Sequence, residues 1–312
     1  MQRWRGVEGA PSGWGRCVVT IGVFDGVHRG HQQIIGRAVE AARDKGLPSV
    51  VLTFDPHPME IIRPGSHPAL LTSTGYKAEL LEALGVDVMC VLPFTPEVRR
   101  LSPDEFVHEV LVERLHVSEV VVGDNFRYGE KGAGDVAALT ASGRRFGFTV
   151  DGVALQGSAD TTYSSTYVRS LVDAGDVAEA ARVLGRDHRV EGVVVRGDQR
   201  GREIGYPTAN LSPLPWSAIP ADGIYAGHVV RRSELLPAAI SIGSNPTFAG
   251  RERRVEAFVL DFSGDLYGAR VGMTFASRLR PMLKFDTVEA LVAQMDQDVA
   301  RTRELLGVHP PG

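Results

Sequence analysis

The pattern of apolar residues changes near residue 185, and this change constrains the fold of the 312-residue chain more than any other feature. Before that point, apolar runs typical of buried strands alternate with helical stretches. Strands are predicted at residues 17–23, 49–54, 86–92, 119–122 and 148–154, and helices at 28–45, 76–84 and 103–115, the last capped by Ser102. Such alternation indicates a parallel sheet covered on both faces. Right-handed crossovers then place the loops after the strands at one edge, where ligands bind.

The remainder of the chain is rich in short strands. Apolar runs are separated by Gly, Pro and Asp-Gly turn signals, and no helix is predicted before residues 288–306. The predicted strands are residues 190–195, 223–230, 238–242, 255–261 and 271–275. Evenly spaced strands of this kind indicate a small antiparallel barrel or sandwich. We therefore predict an α/β domain at residues 1–185 and an all-β domain with a terminal helix at residues 186–312.

Composition excludes several classes of protein. The formal net charge of -4 argues against a general binder of nucleic acid or membrane surfaces. Residues 1–16 contain no apolar signal region, and no stretch approaches the roughly 18 apolar residues of a membrane span. Cys17 and Cys90 are too few for a disulfide framework or a CxxC metal site. We expect a cytoplasmic protein whose partners are small molecules, and a homo-oligomer is left open.

The most informative motif is Gly-Val-Phe-Asp-Gly-Val-His-Arg-Gly-His at residues 22–31, where the first predicted strand meets the first helix. Glycines there let the backbone approach a phosphate, and a helix N-terminus offers free N–H groups. His28 and His31 are spaced i,i+3, so they lie on one face of the first turn. Two imidazoles there can donate hydrogen bonds to phosphate oxygens that gain negative charge. A single histidine at a helix start is usually a cap or a surface residue, but the whole motif in this context favours a functional phosphate site.

Residues 22–31 resemble the HxGH nucleotidyltransferase signature as it occurs in bacterial FAD synthetases. Residues 53–58, 123–129 and 164–169 extend the resemblance, and each segment follows a predicted strand or begins a helix. The resemblance implies catalytic roles for His28, His31 and Arg169, and a contact of Asn125 with the flavin. The nucleotide-binding residues that it implies in this half are Gly22, Phe24, Asp25, Gly26, Ser164, Ser165 and Thr166.

The segment at residues 164–169 can also be interpreted without the resemblance. Its hydroxyls are predicted to cap a helix that runs to Ala174, from whose first turn Arg169 projects. A plain helix cap is the alternative to phosphate binding. The resemblance implies that the segment holds the β- and γ-phosphates of ATP. The chain departs from some members of the family at Thr162, where they carry a basic residue.

A second constellation lies at residues 196–210, with the sequence Arg-Gly-Asp-Gln-Arg-Gly-Arg-Glu-Ile-Gly-Tyr-Pro-Thr-Ala-Asn. The chain contains no G-x-x-x-x-G-K-[ST] motif, so a phosphate site must be built differently. Glycines here permit close backbone approach, and Arg200 and Arg202 supply charge for phosphates. Thr208 and Asn210 are two apart in an extended segment and point to the same side, where their oxygens suit Mg²⁺ together with ATP phosphates. A Gly/Arg-rich surface loop is the alternative for residues 197–202.

This stretch resembles the riboflavin kinase signature, in which phenylalanine is more usual than Tyr206. Further matches at residues 222–227, 241–248 and 255–258 extend the resemblance over nearly the whole chain. It implies that Gly197, Arg202 and Thr208 bind the nucleotide, and that Thr208 and Asn210 hold Mg²⁺.

Glu256 is the candidate general base of the second half. It begins a predicted strand whose later positions on the same face, Phe258 and Leu260, are apolar, so we expect its carboxylate at the mouth of a barrel. The resemblance implies that Glu256 takes the proton of the attacking ribityl hydroxyl. The alternative is a rim glutamate paired with Arg251, Arg253 or Arg254.

On these motifs the chain is identified as a member of the bacterial bifunctional riboflavin kinase/FAD synthetase family. The resemblance implies ATP-dependent phosphorylation of riboflavin to FMN, then adenylyl transfer to FMN, which yields FAD and pyrophosphate. One alternative is a nucleotidyltransferase for another phosphorylated substrate with a degenerate β domain. Another is a flavin-binding protein without turnover. The intact histidines and Glu256 argue against both, since binding alone requires none of them.

Overall fold

The computed structural model describes residues 1–154, 157–158, 161–197, 205–247 and 250–309. Its contacts divide the chain into two compact units. The first comprises Met1–Pro68 and Thr74–Ser164, and the second Ala69–Ser73 and Ser165–Gly312. In the described residues, no helix combines the length and the apolar character needed to cross a membrane. The boundary at residues 185 and 186 stays a prediction for the limits of the functional domains.

The first unit is built on a six-stranded parallel sheet in the order β1-β4-β3-β2-β5-β6. Its strands are β1 (Gln2–Arg5), β2 (Cys17–Ile21), β3 (Ser49–Asp55), β4 (Val88–Pro93), β5 (Val117–Gly123) and β6 (Thr149–Val153). The predicted parallel sheet is confirmed. The edge strand β1 was not predicted, because Trp4 is its one apolar residue.

Helices cover both faces of this sheet, as the alternating pattern predicts. They are α1 (Arg29–Lys45), α2 (Pro58–Ile62), α3 (Thr74–Ala83), α4 (Pro96–Arg100), α5 (Pro103–Glu105) and α6 (Val136–Phe146). Successive residues of β2 alternate between two cores: Val19 packs with the cluster around Phe106, and Val18 with Ile34 and Ala38 of α1. A short antiparallel pair, β7 (Gly157–Ser158) and β8 (Thr161–Thr162), precedes the second unit.

The helix predicted at residues 103–115 takes an unexpected form. Ser102 caps its start in a capping box with Glu105, as predicted. After α5, however, the backbone continues as a π-helix over Phe106–Arg114. A local sequence pattern does not distinguish this wider turn, since the apolar residues still reach the core.

The second unit contains a closed six-stranded antiparallel barrel, which confirms the predicted class. Its strands are β9 (His188–Val195), β10 (Thr208–Pro213), β11 (Gly223–Arg231), β12 (Glu234–Thr247), β13 (Gly250–Val259) and β14 (Arg270–Arg280). They close in the order β10-β13-β12-β11-β14-β9. The helices of this unit are α7 (Ser165–Ala174), α8 (Val177–Leu184) and α9 (Val288–Leu306). Helix α8 packs against β9 and β14, and its Val177 belongs to the barrel core.

The alternation along β13 corrects the expectation that Leu260 shares a face with Glu256 and Phe258. Val255, Ala257 and Val259 are buried in the core, while Glu256 and Phe258 are half-buried on the opposite, outer face. Glu256 and Phe258 therefore share a face, as predicted. Leu260 lies in the turn after the strand and does not continue that face. Since α9 packs against β11, β12 and β14, the outer face of the barrel also acquires an apolar covering.

Candidate active sites

The motif at residues 22–31 lies at the switch point of the parallel sheet. Strand β2 is flanked by β3 on one side and by β5 on the other. The chain first builds β3 and β4 on one side, then crosses to the other with β5. In open α/β sheets, ligands bind in the crevice at the carboxyl ends of the strands where this reversal occurs. The loop after β2 therefore occupies the ligand-binding edge predicted for it.

The backbone of this loop has a conformation that few sequences tolerate. Phe24, Gly26 and Val27 have φ angles of 49°, 82° and 40°, in the left-handed region that disfavours side chains with a Cβ atom. A Cβ atom at Gly22 would lie 2.9 Å from the Phe24 ring. At the far end of the loop, Gln32 Nε2 donates a hydrogen bond to Val27 O at 2.8 Å. The positive φ angles, the close approach at Gly22 and the Gln32 hydrogen bond therefore define one specific conformation of the loop.

His28 and His31 come together at the start of α1. His28 is its N-cap, and its Nδ1 accepts a hydrogen bond from His31 N at 3.4 Å. The two imidazoles stack with ring centroids 3.6 Å apart, and Phe24 contacts His31 edge-on. His28 and Asp25 are both buried. Two imidazoles next to the N–H groups of a helix start form a site suited to a phosphate.

The other site residues predicted for this half lie on two other segments, the turn after β5 and the start of α7. Asn125 is exposed in the turn after β5, beside the stacked rings of Phe126 and Tyr128, so it lies at the same edge of the sheet as the histidines. Ser164 directly precedes α7, whose first turns contain Ser165, Thr166 and Arg169. Within the second unit, Arg169 Nε donates a hydrogen bond to Ala69 O at 2.6 Å.

Sequence reasoning missed Lys77, a buried residue of α3 next to the first motif. Its Nζ donates hydrogen bonds to Val23 O at 2.7 Å and to Thr53 Oγ1 at 3.4 Å. Burial lowers the pKa of Lys77. The one signal in the sequence that could have pointed to Lys77 is the rarity of lysine, which occurs four times in the chain. Rarity does not reveal a partner 54 residues away.

The barrel carries a cavity of about 620 Å³ on the outer face of β10, β13 and β12. Glu256 lines this cavity, and its Oε2 accepts a hydrogen bond from Thr208 Oγ1 at 3.3 Å. Most of the remaining lining is apolar and includes Ile224, Ile240, Phe258, Leu283, Leu291, Met295 and Val299. An apolar cavity with a few convergent polar groups is the usual form of a small-molecule site.

A second cavity, of about 750 Å³, is lined by Gly197, Asn210 and residues 261–267. A Cβ atom at Gly197 would lie 2.4 Å from Asn210 Oδ1, so a glycine there lets the amide approach the backbone. Thr208 and Phe258 line both cavities. The side chains of Thr208 and Asn210 share the outer face, as predicted from their spacing. Arg202 lies outside the described residues.

Among the described side chains, the surroundings of Glu256 give no support to a rim ion pair; the side chain of Arg251 lies outside them. Arg253 Nη1 donates a hydrogen bond to Ile219 O at 2.7 Å, and its Nε lies 3.7 Å from Asp222 Oδ1. In the part of the chain that the structure describes, no ion pair of Glu256 lies within 4 Å. A carboxylate held by a hydroxyl at a cavity wall is instead available to a substrate.

Three polar contacts hold α9 over the first cavity or beside it. Arg280 binds the buried Asp298 through two nitrogens, with Nε–Oδ1 and Nη2–Oδ2 distances of 2.9 and 2.7 Å. Arg303 pairs with Asp261, and the Tyr206 hydroxyl donates to Asp296 Oδ1. Burial and the Asp296 carboxylate raise the pKa of Tyr206 to about 12, so the hydroxyl keeps its proton at neutral pH.

The described side chains offer few ligands for a metal ion bound by protein alone. Among the described residues, no group of three or more His, Cys, Asp or Glu side chains is placed to hold one. Thr208 and Asn210 offer neutral oxygens side by side instead. Mg²⁺ is commonly bound by one or two protein oxygens together with substrate phosphates and water. The two residues fit such a site.

Comparison with known proteins finds a matching family model for each half of the chain. Residues 10–167 match the family model described as FAD synthetase, and residues 184–306 match that described as riboflavin kinase. A bifunctional riboflavin kinase/FMN adenylyltransferase of Listeria monocytogenes is 40% identical over 290 residues, which cover 92% of this chain and 91% of the relative. The chain belongs to this family.

A relative of the same description in Pseudomonas fluorescens is 39% identical, and the match covers 98% of this chain and 98% of the relative. Another, in Escherichia coli K12, is 36% identical, and the match covers 95% of this chain and 94% of the relative. A solved structure from Streptococcus pneumoniae, described as a macrolide-efflux protein, matches with a TM-score of 0.88 and 32% identity, over 97% of this chain and 99% of that one. Membership confirms the predicted enzyme class: a kinase joined to a nucleotidyltransferase in flavin cofactor biosynthesis. Matches over both halves disfavour a degenerate β domain.

Proposed function

We propose that the two activities of this family occupy the two sites described above. The loop at residues 22–31 transfers an adenylyl group from ATP to FMN, and the paired cavities of the barrel phosphorylate riboflavin. The observation that carries the kinase assignment is the contact of Thr208 with Glu256. It joins a candidate base in one cavity to a residue that also lines the other.

In the adenylyl transfer, a phosphate oxygen of FMN attacks the α-phosphorus of ATP. The bond from that phosphorus to the bridging oxygen breaks, and pyrophosphate leaves. We assign His28 and His31 to donate hydrogen bonds to the oxygens of the α-phosphate as their charge increases, which lowers the barrier. Gly22, Phe24, Asp25 and Gly26 form the loop that admits the nucleotide.

Three further assignments rest on the family motifs. Ser164, Ser165 and Thr166 bind the β- and γ-phosphates, and Arg169 stabilises the departing pyrophosphate. A hydroxyl-rich helix start followed by an arginine is chemically suited to that role. Asn125 contacts the flavin at the exposed edge of the sheet.

In the phosphorylation, Glu256 accepts the proton of the terminal ribityl hydroxyl of riboflavin. The oxygen attacks the γ-phosphorus of ATP, and ADP leaves. The first cavity accommodates the flavin because its lining is mainly apolar, while the second, with Gly197 and Asn210, receives the nucleotide. Arg202 belongs to the nucleotide side by the family motif. A general base placed in this way contributes roughly 10²–10⁴-fold to the rate.

Thr208 and Asn210 are the residues that would hold Mg²⁺. The ion, when bound, neutralises negative charge on the phosphate oxygens. Because the Thr208 proton is donated to Glu256, the hydroxyl presents lone pairs on its remaining side. Thr208 thus orients the base and offers an oxygen ligand at the same time.

We further propose that the enzyme works in the cytoplasm, with small molecules and not nucleic acid as its partners. The formal net charge of -4 supports the exclusion of nucleic acid, because it provides no excess positive field for a polyanion. A homo-oligomer remains compatible with these features.

The test is to incubate the purified protein with riboflavin and Mg-ATP and to separate the flavins over time. The proposal requires FMN to form first and FAD to follow. FAD formed from supplied FMN alone would indicate an inactive barrel. Flavin that is bound but unchanged would indicate a binding protein.

A further inference from the structure

Lys77 is a buried ionisable residue with no role in the proposed mechanism. It is 6% exposed on α3, and Thr53, at 1%, is buried beside it. The Lys77 ammonium donates to Val23 O and to Thr53 Oγ1, and Thr53 Oγ1 donates to the same carbonyl at 3.0 Å. Two side chains from different elements thus converge on one backbone oxygen.

The Val23 carbonyl oxygen lies at the start of the left-handed turn that leads to His28. Val23 immediately precedes Phe24, where the backbone enters the left-handed region on its way to His28. Gln32 holds the other end of the same turn through Val27 O. The loop is therefore fixed at both ends by side chains, and Lys77 and Thr53 provide the fixation at the end nearer β2.

The electrostatic setting of Lys77 is unusual for a structural lysine. Its two hydrogen-bond acceptors are a neutral carbonyl and a neutral hydroxyl. The carboxylates of Asp25 and Asp55 act on it only over a longer range, since no carboxylate lies within 4 Å of its nitrogen in the residues that the structure describes. A buried charge without a close counterion is costly. A bound polyphosphate at the adjacent loop would offset that cost.

We propose that Lys77 is a positioning residue for adenylyl transfer: its ammonium fixes the Val23 carbonyl, and with it the turn that presents His28, and adds positive charge beneath the phosphate site. This inference rests on the proposed function of the loop at residues 22–31. Lys77 touches no reacting atom and acts through the loop.

The test compares Lys77→Met in the full chain with the wild type. Methionine retains the length and packing of the side chain but removes its charge and its hydrogen bonds. We expect kcat for FAD formation from FMN and ATP to fall by about 10–100-fold, since a displaced reactive group costs on this order. The KM for FMN should stay within about threefold, and riboflavin phosphorylation within about twofold, because neither depends on this turn.

The matched control is Lys45→Met. Lys45 lies at the other end of α1, where its nitrogen is 3.0 Å from Glu119, so its loss weakens the same unit away from the loop. The control should lower the melting temperature and leave FAD formation by the folded protein unchanged. If folded Lys77→Met behaves in the same way, the role of Lys77 is structural and the proposal is wrong.

If Lys77→Met does not fold, Thr53→Val tests whether the hydrogen bonds to Val23 O position the loop for adenylyl transfer. It preserves the shape of the side chain and removes one donor to Val23 O together with one acceptor for Lys77. We expect kcat for FAD formation to fall by about 3–10-fold, with the KM for FMN unchanged, since half of the fixation is lost. An unchanged kcat would overturn the proposal. The loop's own function is tested separately by His28 variants, so each idea can fail without the other.

Discussion

Thr208 and Glu256 lie on the neighbouring strands β10 and β13, and the threonine hydroxyl donates to the glutamate carboxylate at 3.3 Å. In the register of this pair, Asn210 stands directly opposite Glu256. The outer face of two strands therefore presents a carboxylate, a hydroxyl and an amide to two cavities that share Thr208.

Glu256→Gln should abolish most riboflavin phosphorylation. Glutamine retains the shape and accepts the Thr208 hydrogen bond, but it cannot take up a proton at neutral pH. We expect the kinase rate to fall by about 10²–10⁴-fold, while FMN and ATP still yield FAD. Glu234→Gln, at the exposed start of β12 in the same barrel, is the control. A kinase rate within a few-fold of wild type would exclude Glu256 as the base.

His28 should be examined with two substitutions, because it is both a helix cap and a candidate catalytic residue. His28→Ala removes both roles, whereas His28→Asn restores a good N-cap without an imidazole. We expect FAD formation to fall by about 10²–10³-fold in both variants. The melting temperature should drop in the alanine variant alone, by the equivalent of about 0.5–2 kcal/mol. Full activity of His28→Asn would show that capping is the residue's only function.

Asn210→Ala tests the metal assignment. If the Asn210 oxygen is a ligand, the variant should need about 10–100-fold more Mg²⁺ for half-maximal riboflavin phosphorylation, in line with the loss of a group that supports a metal site. Titration of the kinase rate with MgCl₂ measures this directly. The Mg²⁺ dependence of FAD formation in the same preparation is the internal control. Identical kinase titrations for variant and wild type would remove Asn210 from the site.

Tyr206→Phe restores the residue that is more usual in the family signature. It removes the hydroxyl that donates to Asp296 of α9 while it keeps the ring against Phe258, whose centroid is 4.8 Å away. We expect a loss of about 0.5–1.5 kcal/mol in stability. Because α9 lines the first cavity, the KM for riboflavin should rise with little change in kcat. Unaltered KM and melting temperature would show that the contact contributes nothing.

Two fragments test the modularity of the chain. Residues 186–312 should fold and convert riboflavin to FMN with Mg-ATP. Residues 165–312 should melt higher, because they retain Val177, which is buried in the barrel core and contributes about 1.5–3 kcal/mol. Thermal melts and kinase assays of both fragments provide the comparison. A shorter fragment that melts cooperatively but lacks kinase activity would contradict the proposed domain limits.

Local patterns predict elements with clear ends. The terminal helix α9 begins and ends where the sequence places it, because Thr287 caps its start and Gly307, with a φ of 66°, ends it. Helix α6 also has such caps, Asp135 and Gly147, yet it was missed. Its pattern is amphipathic, but Thr140, Ser142 and Gly143 have low helix propensity and obscured that pattern in the sequence.

The parts of the sites that local reasoning missed depend on long-range contacts. The alternation of β13 predicts that Glu256 and Phe258 share a face, but not that this face is the outer one. The reason is that α9 gives the outside of the barrel an apolar environment as well. Lys77 and the pair of Tyr206 with Asp296 were missed for the same reason: their partners are 54 and 90 residues away.

The most direct test of two separate chemistries on one chain is to mix the two inactivated enzymes. His28→Ala alone should convert riboflavin and Mg-ATP to FMN and stop there, and Glu256→Gln alone should leave riboflavin unchanged. Their mixture should form FAD, because FMN released by one variant is adenylylated by the other. A mixture that accumulates FMN without FAD, although each variant is folded, would contradict the account.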